Sequence, residues 1–187
     1  MTEIKDKQKT RIAGAFEKHF RHFGFKKTTV DEVATEIGVS KKTIYQHFRS
    51  KDEIFSYIIA RKAAARRVHV EEEIRHLSSA KAKMDAMIKI NFDEFRKIHK
   101  KRAKAMDDYS RAEIASRIFR KTFFSLVSDI VKEGVDNKEF EVCDQELSVR
   151  YIQALITETI LMAREDADER PEEMLIQALN KLLTKSN

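Results

Sequence analysis

The feature that most constrains this sequence is a run of closely spaced helix-ending and helix-starting signals in its first 55 residues. Gly24 and Gly38 each follow an apolar stripe of helical period, and glycine readily takes the left-handed conformation of a helix C-cap. Capping boxes at Thr29–Glu32 and Ser50–Glu53 start new helices. The sequence therefore predicts short helices with sharp joints, and the turn Gly38-Val39-Ser40 has the length found in a helix-turn-helix motif.

Helical periodicity continues through the rest of the chain, so we expect an all-α fold. Four glycines and one proline in 187 residues are too few for the many turns of a β-sheet protein. The expected helices lie at residues 6–23, 30–37, 41–48, 50–70, 80–104, 111–135, 144–165 and 171–185. We predict a three-helix domain over residues 1–55 and a larger helical domain over residues 56–187.

The net charge of +6 is unevenly distributed. Basic residues are in excess as far as about residue 104, and acidic residues are in excess after it. This asymmetry suggests a polyanionic partner for the first part of the chain. Charge runs are also common on solvated helix faces, so charge alone leaves the partner open.

The segment from Thr10 to Phe55 resembles the DNA-binding module of TetR-type transcription regulators. The matching residues are Arg11-Ile12, Ala15-Phe16, Phe20, Phe23-Gly24-Phe25, Thr28-Thr29, Val33-Ala34, Ile37-Gly38-Val39-Ser40, Thr43-Ile44-Tyr45, His47-Phe48 and Lys51-Asp52-Glu53-Ile54. The resemblance implies an N-terminal helix-turn-helix that binds DNA and a C-terminal domain that binds an effector and forms a homodimer. Lys42 stands where many members have Gly or Pro, which leaves open the base sequence that is recognised.

The third helix and its flanks supply the residues expected to bind DNA. A recognition helix presents its N-terminal side chains to base edges, and the resemblance implies phosphate contacts from its flank and from the next helix. The predicted set is Thr28, Thr29, Lys41, Lys42, Thr43, Tyr45, Gln46, His47 and Lys51. Four alternatives stay open. Thr29 also suits a purely capping role and Tyr45 a core position. His47 also suits an ordinary surface position, and Lys42 also suits contact with a phosphate instead of a base.

The helix at 144–165 carries two apolar stripes where one is enough for a single core. Leu147, Tyr151, Ala154, Leu155, Leu161 and Met162 form one, and Val149, Ile152, Ile156, Ile160 and Ala163 form the other. The resemblance implies that the last two helices pair with their copies in a second chain. The predicted dimer contacts are Ile152, Ile156, Ile160, Leu175, Leu179 and Leu182, although the pattern leaves open which stripe faces the partner, and a helix central to a monomer's core is the alternative.

Aromatic and methionine residues in the middle helices are candidates for an effector pocket. The predicted lining is Phe95, Met106, Tyr109, Phe119 and Phe123. The nearby cations Arg96, Lys97, Lys100, Lys101, Arg102 and Lys104 suit the head group of an amphipathic anion, such as a fatty acid or its thioester. The alternative is an ordinary apolar core beneath a solvated basic face.

These features predict a cytoplasmic, sequence-specific DNA-binding regulator, a repressor released from a palindromic double-stranded operator by a small amphipathic or hydrophobic effector. The alternative is a similar regulator without a small-molecule effector, acting as an activator or through a protein partner. A generic nucleic-acid chaperone would not discriminate between an operator and random DNA. The six histidines do not have the spacing of metal ligands, and the sequence has no phosphate-binding glycine loop. The sequence therefore gives no indication of an enzyme, a metal site or a cofactor. The single Cys143 and the lack of a signal or membrane-spanning run fit the cytoplasm.

Overall fold

A computed structural model describes residues 2–100, 109–163 and 170–184, with side chains at 6–97, 111–163 and 170–184. These residues form eight helices and no strand, which confirms the predicted all-α fold. The helices are α1 (Thr2–Phe23), α2 (Val30–Glu36), α3 (Lys41–His47), α4 (Lys51–Ile74), α5 (Ala80–Lys100), α6 (Tyr109–Asp136), α7 (Gln145–Met162) and α8 (Pro171–Leu183). None of the described helices is long and apolar enough to span a membrane.

The chain divides into two compact units, and each has a hydrophobic core of its own. Unit 1 comprises Met1–Ala63 and Arg102–Ile118, and unit 2 comprises Ala64–Lys101 and Phe119–Asn187. The core of unit 1 is formed by Ile12, Ala13, Phe16, Val33, Ala34, Ile44, Phe48, Ile54 and Ile58. Unit 1 therefore contains the whole of the predicted helix-turn-helix domain.

Local capping fixes the joints of unit 1. The Thr29 hydroxyl accepts a hydrogen bond from Glu32 N at 3.2 Å, and the Glu32 carboxylate accepts one from Thr29 N at 3.1 Å, so the predicted capping box is present. Gly38 takes a φ of 65°, a conformation that strains residues with a side chain. Ser40 then caps α3 by accepting a hydrogen bond from Thr43 N at 3.0 Å.

The second predicted box differs in one bond. Ser50 Oγ accepts from Glu53 N at 3.1 Å, as expected. The Glu53 carboxylate, however, accepts from Arg49 N at 2.6 Å, one residue earlier than the box prescribes. Phe48 is extended at the end of α3, which leaves Arg49 N outside that helix and in need of an acceptor.

Unit 2 is built from the second part of α4, from α5, from most of α6, and from α7 and α8. Its buried side chains include Val70, Met84, Met87, Phe92, Val127, Val149, Ile152 and Leu179. Gly134 lies inside α6 rather than ending it. Its lack of a side chain makes room for the Phe140 ring, since a Cβ there would lie 2.1 Å from that ring. The chain after α6 therefore folds back against the helix.

Candidate nucleic-acid interface

The third helix has one buried face and one exposed polar face. Ile44 and Phe48 are 0% and 1% exposed and hold α3 in the core of unit 1. Lys41, Lys42 and Gln46 are exposed, as predicted for residues that meet DNA. The helix therefore presents its polar side chains on a rigid support.

Asp31 of α2 places an acid beside the bases at the start of α3. Lys41 Nζ lies 2.8 Å from Asp31 Oδ2, and the hydrogen bond and charge of Asp31 raise the pKa of the Lys41 ammonium. The Thr43 hydroxyl lies 2.9 Å from Ser40 Oγ, within the cap of the helix. Lys42 has no ion pair within the described part of the chain, so its charge is available to an external group.

The last turn of α3 opens onto a cleft. Tyr45 is 46% exposed, which rules out the alternative of a core aromatic. Tyr45, Gln46 and His47 line a cleft of about 330 Å³ together with the other lining residues Lys9, Phe48, Arg49 and Glu53. The sequence did not single out Lys9, since its approach to α3 depends on how α1 packs.

The two threonines before α2 are both engaged within the chain. Thr28 is 1% exposed, and its hydroxyl donates to Gly24 O at 2.9 Å. This is a correction to the predicted set, because a side chain buried to this extent does not reach a phosphate in this conformation. Thr29 is exposed, and its hydroxyl also donates to Glu32 Oε2 at 2.8 Å, so the capping role is present whether or not Thr29 also contacts DNA.

Lys51, a predicted phosphate contact, anchors the segment between α1 and α2. Its ammonium donates to Phe25 O and to Thr28 O, both at 2.9 Å, and lies 4.4 Å from the centre of the Phe25 ring. Burial, and then the charge of Arg111, lowers the pKa of Lys51. The Arg111 guanidinium lies 3.4 Å from the centre of the same ring. A phosphate contact of Lys51 therefore stays a prediction, and it would have to share the ammonium with two carbonyls.

The predicted effector residues that the structure describes belong to unit 2. Phe123 is buried, while Phe95 and Phe119 are partly buried against the same core, and the rings of Phe119 and Phe123 stack with centres 6.3 Å apart. Met106 and the side chain of Tyr109 lie outside the described residues. These rings therefore lie with the apolar core, as the simpler alternative expects, and a ligand role for them stays a prediction.

The described cations of the basic segment are paired within the chain. Arg96 contacts Glu172 Oε1 and Asp93 Oδ1, each at 2.6 Å, and Lys97 contacts Glu94 at 3.0 Å. The side chains of Lys100, Lys101, Arg102 and Lys104 lie outside the described residues. Among the described residues, no group of three or more His, Cys, Asp or Glu side chains is placed to hold a metal ion.

The two stripes of α7 have different surroundings. Most of the predicted dimer contacts lie in the core of unit 2: Ile152, Leu175 and Leu179 are buried, Ile156 and Ile160 pack against that core, and only Leu182 is exposed, at 66%. This corrects the predicted set, since periodicity identifies the stripes but not their partners. The large apolar side chains that α7 and α8 leave exposed are here together called the apolar ridge: Leu147, Tyr151, Leu155 and Met162 of α7, and Met174 and Leu182 of α8.

Comparison with known proteins gives the same assignment for the N-terminal segment. Residues 14–58 match the family described as bacterial regulatory proteins, tetR family. The uncharacterised HTH-type transcriptional regulator YhgD of Bacillus subtilis is 28% identical over 153 residues, which cover 75% of this chain and 76% of that protein. The fatty acid metabolism regulator protein of the same organism is 25% identical over 142 residues, covering 73% of each.

A solved structure shows the same fold over nearly the whole chain. It is that of the transcriptional regulator FadR from Bacillus subtilis in complex with stearoyl-CoA. The two chains superpose with a TM-score of 0.65 at 21% identity, covering 92% of this chain and 96% of that one. The likeness therefore extends beyond the helix-turn-helix to the helices of unit 2.

Proposed function

We propose that this TetR-type transcriptional regulator is a repressor that binds a palindromic operator as a homodimer and is released by an anionic acyl thioester. The DNA-binding part of this proposal rests on how α3 is held in unit 1. Ile44 and Phe48 fix one face in the core, and Lys42, Tyr45 and Gln46 stand exposed on the others. A helix held in this way enters the major groove without reorganising. The proposal includes a cytoplasmic location, since a repressor acts where its operator DNA lies.

The apolar ridge supports the homodimer. Unit 2 already buries the other stripe of α7 in its own core. The apolar ridge stays exposed in the single chain and so does not contribute to that core. Tyr151 and Met174 are 62% and 76% exposed, an unfavourable arrangement for large apolar side chains on neighbouring helices. A second copy of the chain buries the same ridge on both sides through a two-fold axis, which also pairs two recognition helices.

The effector class rests on the relatives. One is named a fatty acid metabolism regulator, and the FadR structure contains stearoyl-CoA. The acyl chain of such a ligand needs an apolar site, and unit 2 is the part of this chain rich in Phe and Met. The ligand must bind more tightly to the conformation that does not bind DNA, because equal affinity shifts nothing.

One observation favours a second candidate, a regulator of the same DNA-binding type that is controlled without a small-molecule effector. Arg96 and Lys97, the described cations of the predicted head-group site, are already neutralised by carboxylates of the chain. An anionic head group would have to displace Glu172, Asp93 or Glu94, or use cations elsewhere. The effector experiment below therefore separates the two candidates.

The DNA-binding part is tested by selecting duplexes from a random library with the purified protein. Binding of the selected duplex is then measured by fluorescence anisotropy against a scrambled duplex. We expect an enriched palindrome, and we expect Lys42→Ala to change the preferred base at one or two positions. Lys89→Ala, at an exposed lysine of α5, serves as the matched control and should leave the preference unchanged. Equal binding of all sequences would reject the proposal in favour of a general nucleic-acid chaperone.

The effector part uses the same complex. Stearoyl-CoA is titrated into it and compared with free coenzyme A and with stearyl alcohol, which supply the head group and the chain separately. Release by stearoyl-CoA alone supports an acyl-thioester effector. A selective operator complex that none of the three ligands releases would instead support the regulator without a small-molecule effector.

A further inference from the structure

The cleft at the last turn of α3 contains two cations, Lys9 and Arg49, that are not among the DNA-binding residues predicted from the sequence. It has a volume of about 330 Å³ and joins three parts of unit 1: Lys9 of α1, the end of α3 with Arg49 beyond it, and Glu53 of α4. Tyr45 and Gln46 add exposed hydrogen-bonding groups to its wall. The cleft therefore brings together side chains from separate helices beside the recognition helix.

The charges around this cleft favour an anion. Lys9 and Arg49 are the two cations, and neither has an ion pair within the described residues. Glu53 is the one carboxylate in the wall, and it is committed to the backbone because it accepts the Arg49 amide at 2.6 Å. Its charge therefore neutralises neither side-chain cation by direct contact, and the cleft has an excess of positive charge.

Lys9 is held in place by aromatic rings rather than by a carboxylate. Its Nζ lies 5.5 Å from the centre of the Phe48 ring and 5.9 Å from that of Tyr57. Ring faces attract an ammonium without neutralising it, and they restrict the stem of the side chain. Phe48 is itself 1% exposed, so this support belongs to the rigid core of unit 1.

We propose that this cleft binds a phosphate of the DNA backbone, with Lys9 and Arg49 as its cationic contacts. The inference rests on the proposed function and adds contacts from outside the recognition helix. In the proposed complex Lys41 to Thr43 at the start of α3 meet base edges, and His47, the last residue of this helix, lies about 9 Å from Lys41 along the helix axis. A helix in the major groove brings such an end towards the backbone that borders the groove.

The test removes the charge of Lys9 and keeps its stem. Lys9→Met should weaken binding to the selected and the scrambled duplex by the same factor, and it should reduce the slope of log affinity against log salt by about one. Lys9→Arg should keep the wild-type slope, and Lys89→Ala is the control for a lysine remote from the cleft in sequence. Thermal melting of each variant shows whether unit 1 is still folded.

A second measurement locates the phosphate. Each backbone phosphate of the selected duplex is replaced in turn by a neutral methylphosphonate. One position should weaken wild-type binding and have no further effect on Lys9→Met. An unchanged salt slope, or identical methylphosphonate profiles for a folded Lys9→Met and the wild type, would overturn the assignment. Failure of the wild type to select any duplex would instead count against the proposed function.

Discussion

Asp31 is an acid placed among the residues predicted to meet DNA. It is paired with Lys41 at 2.8 Å, and both side chains are at least half exposed. In the proposed DNA complex, we expect Asp31 to repel the phosphates and to hold back the Lys41 ammonium that would otherwise approach them. An exposed pair of this kind contributes little to folding, so its removal affects binding more than stability.

We therefore expect Asp31→Asn to bind both specific and scrambled DNA more tightly, by about two- to tenfold at low salt. The gain should shrink as salt is added, because exposed charges are screened. Fluorescence anisotropy over a salt series measures it, with Asp129→Asn, at an exposed acid of α6, as the control. Weaker binding of Asp31→Asn would show that the carboxylate positions Lys41 for DNA rather than restraining it.

For single residues, the sequence predicted well which residue types lie in the site, but it predicted poorly which groups they contact. Local pattern was enough for the capping role of Thr29, because its partner Glu32 is three positions away. The contacts of Lys51 with Phe25 O, 26 positions away, depend on tertiary packing and leave no local signal. Lys9 was missed for the same reason, since only the folded domain brings it to Phe48.

Among the helices, α5 shows how a distant residue adds to a local cap, in which Ser79 Oγ accepts a hydrogen bond from Ala82 N at 3.3 Å. The Glu139 carboxylate follows α6 and accepts from Ser79 Oγ at 2.7 Å, from Ala80 N at 3.0 Å and from Lys81 N at 3.1 Å. Burial alone would raise the pKa of Glu139, but these hydrogen bonds outweigh it and lower that pKa below its ordinary value of 4.5. The ionised carboxylate therefore stabilises the folded state.

The pH dependence follows from the direction of this shift. A carboxyl group with a lowered folded-state pKa stabilises the fold fully above its unfolded value of 4.5, and the contribution is lost as pH falls through the folded value. Glu139→Gln should cost about 1 kcal/mol of unfolding free energy at pH 7, and the difference from wild type should shrink below pH 4.5. Urea unfolding at both pH values measures this, with Asp129→Asn as the control. A loss that is the same at pH 7 and pH 3.5 would show that the charge of Glu139 is not involved.

Helices were the most predictable elements, since the signals that start and stop them are local. All eight were expected within a few residues of their observed bounds, although α4 continues to Ile74 rather than ending near residue 70. The choice between the two stripes of α7 was not predictable. Both stripes are apolar at helical spacing, and only the position of α8 and α5 decides which of them is buried.

For the whole molecule, the proposed function depends on joining two chains, and the two units of each chain fold around separate cores. Unit 1 holds the recognition helix, and unit 2 holds the apolar ridge. One recognition helix reads only half of a palindromic site, so a monomer should retain weak, salt-dependent binding and lose most of its selectivity. Association through the ridge is thus a condition for operator recognition in the proposed function.

Tyr151→Asp tests this link, because it places a charge at the centre of the ridge while leaving the core of unit 2 intact. In the dimer that charge would be buried without a partner, which is costly, whereas in the monomer it is solvated. We expect sedimentation to show a folded monomer at micromolar concentration and anisotropy to show lost preference for the selected duplex. Val68→Asp, at an α4 side chain that is 53% exposed, is the matched control and should remain a dimer. Leu179→Asp should behave differently again and unfold unit 2, because Leu179 is 2% exposed within the core. A folded Tyr151→Asp dimer with wild-type selectivity would exclude the ridge as the interface.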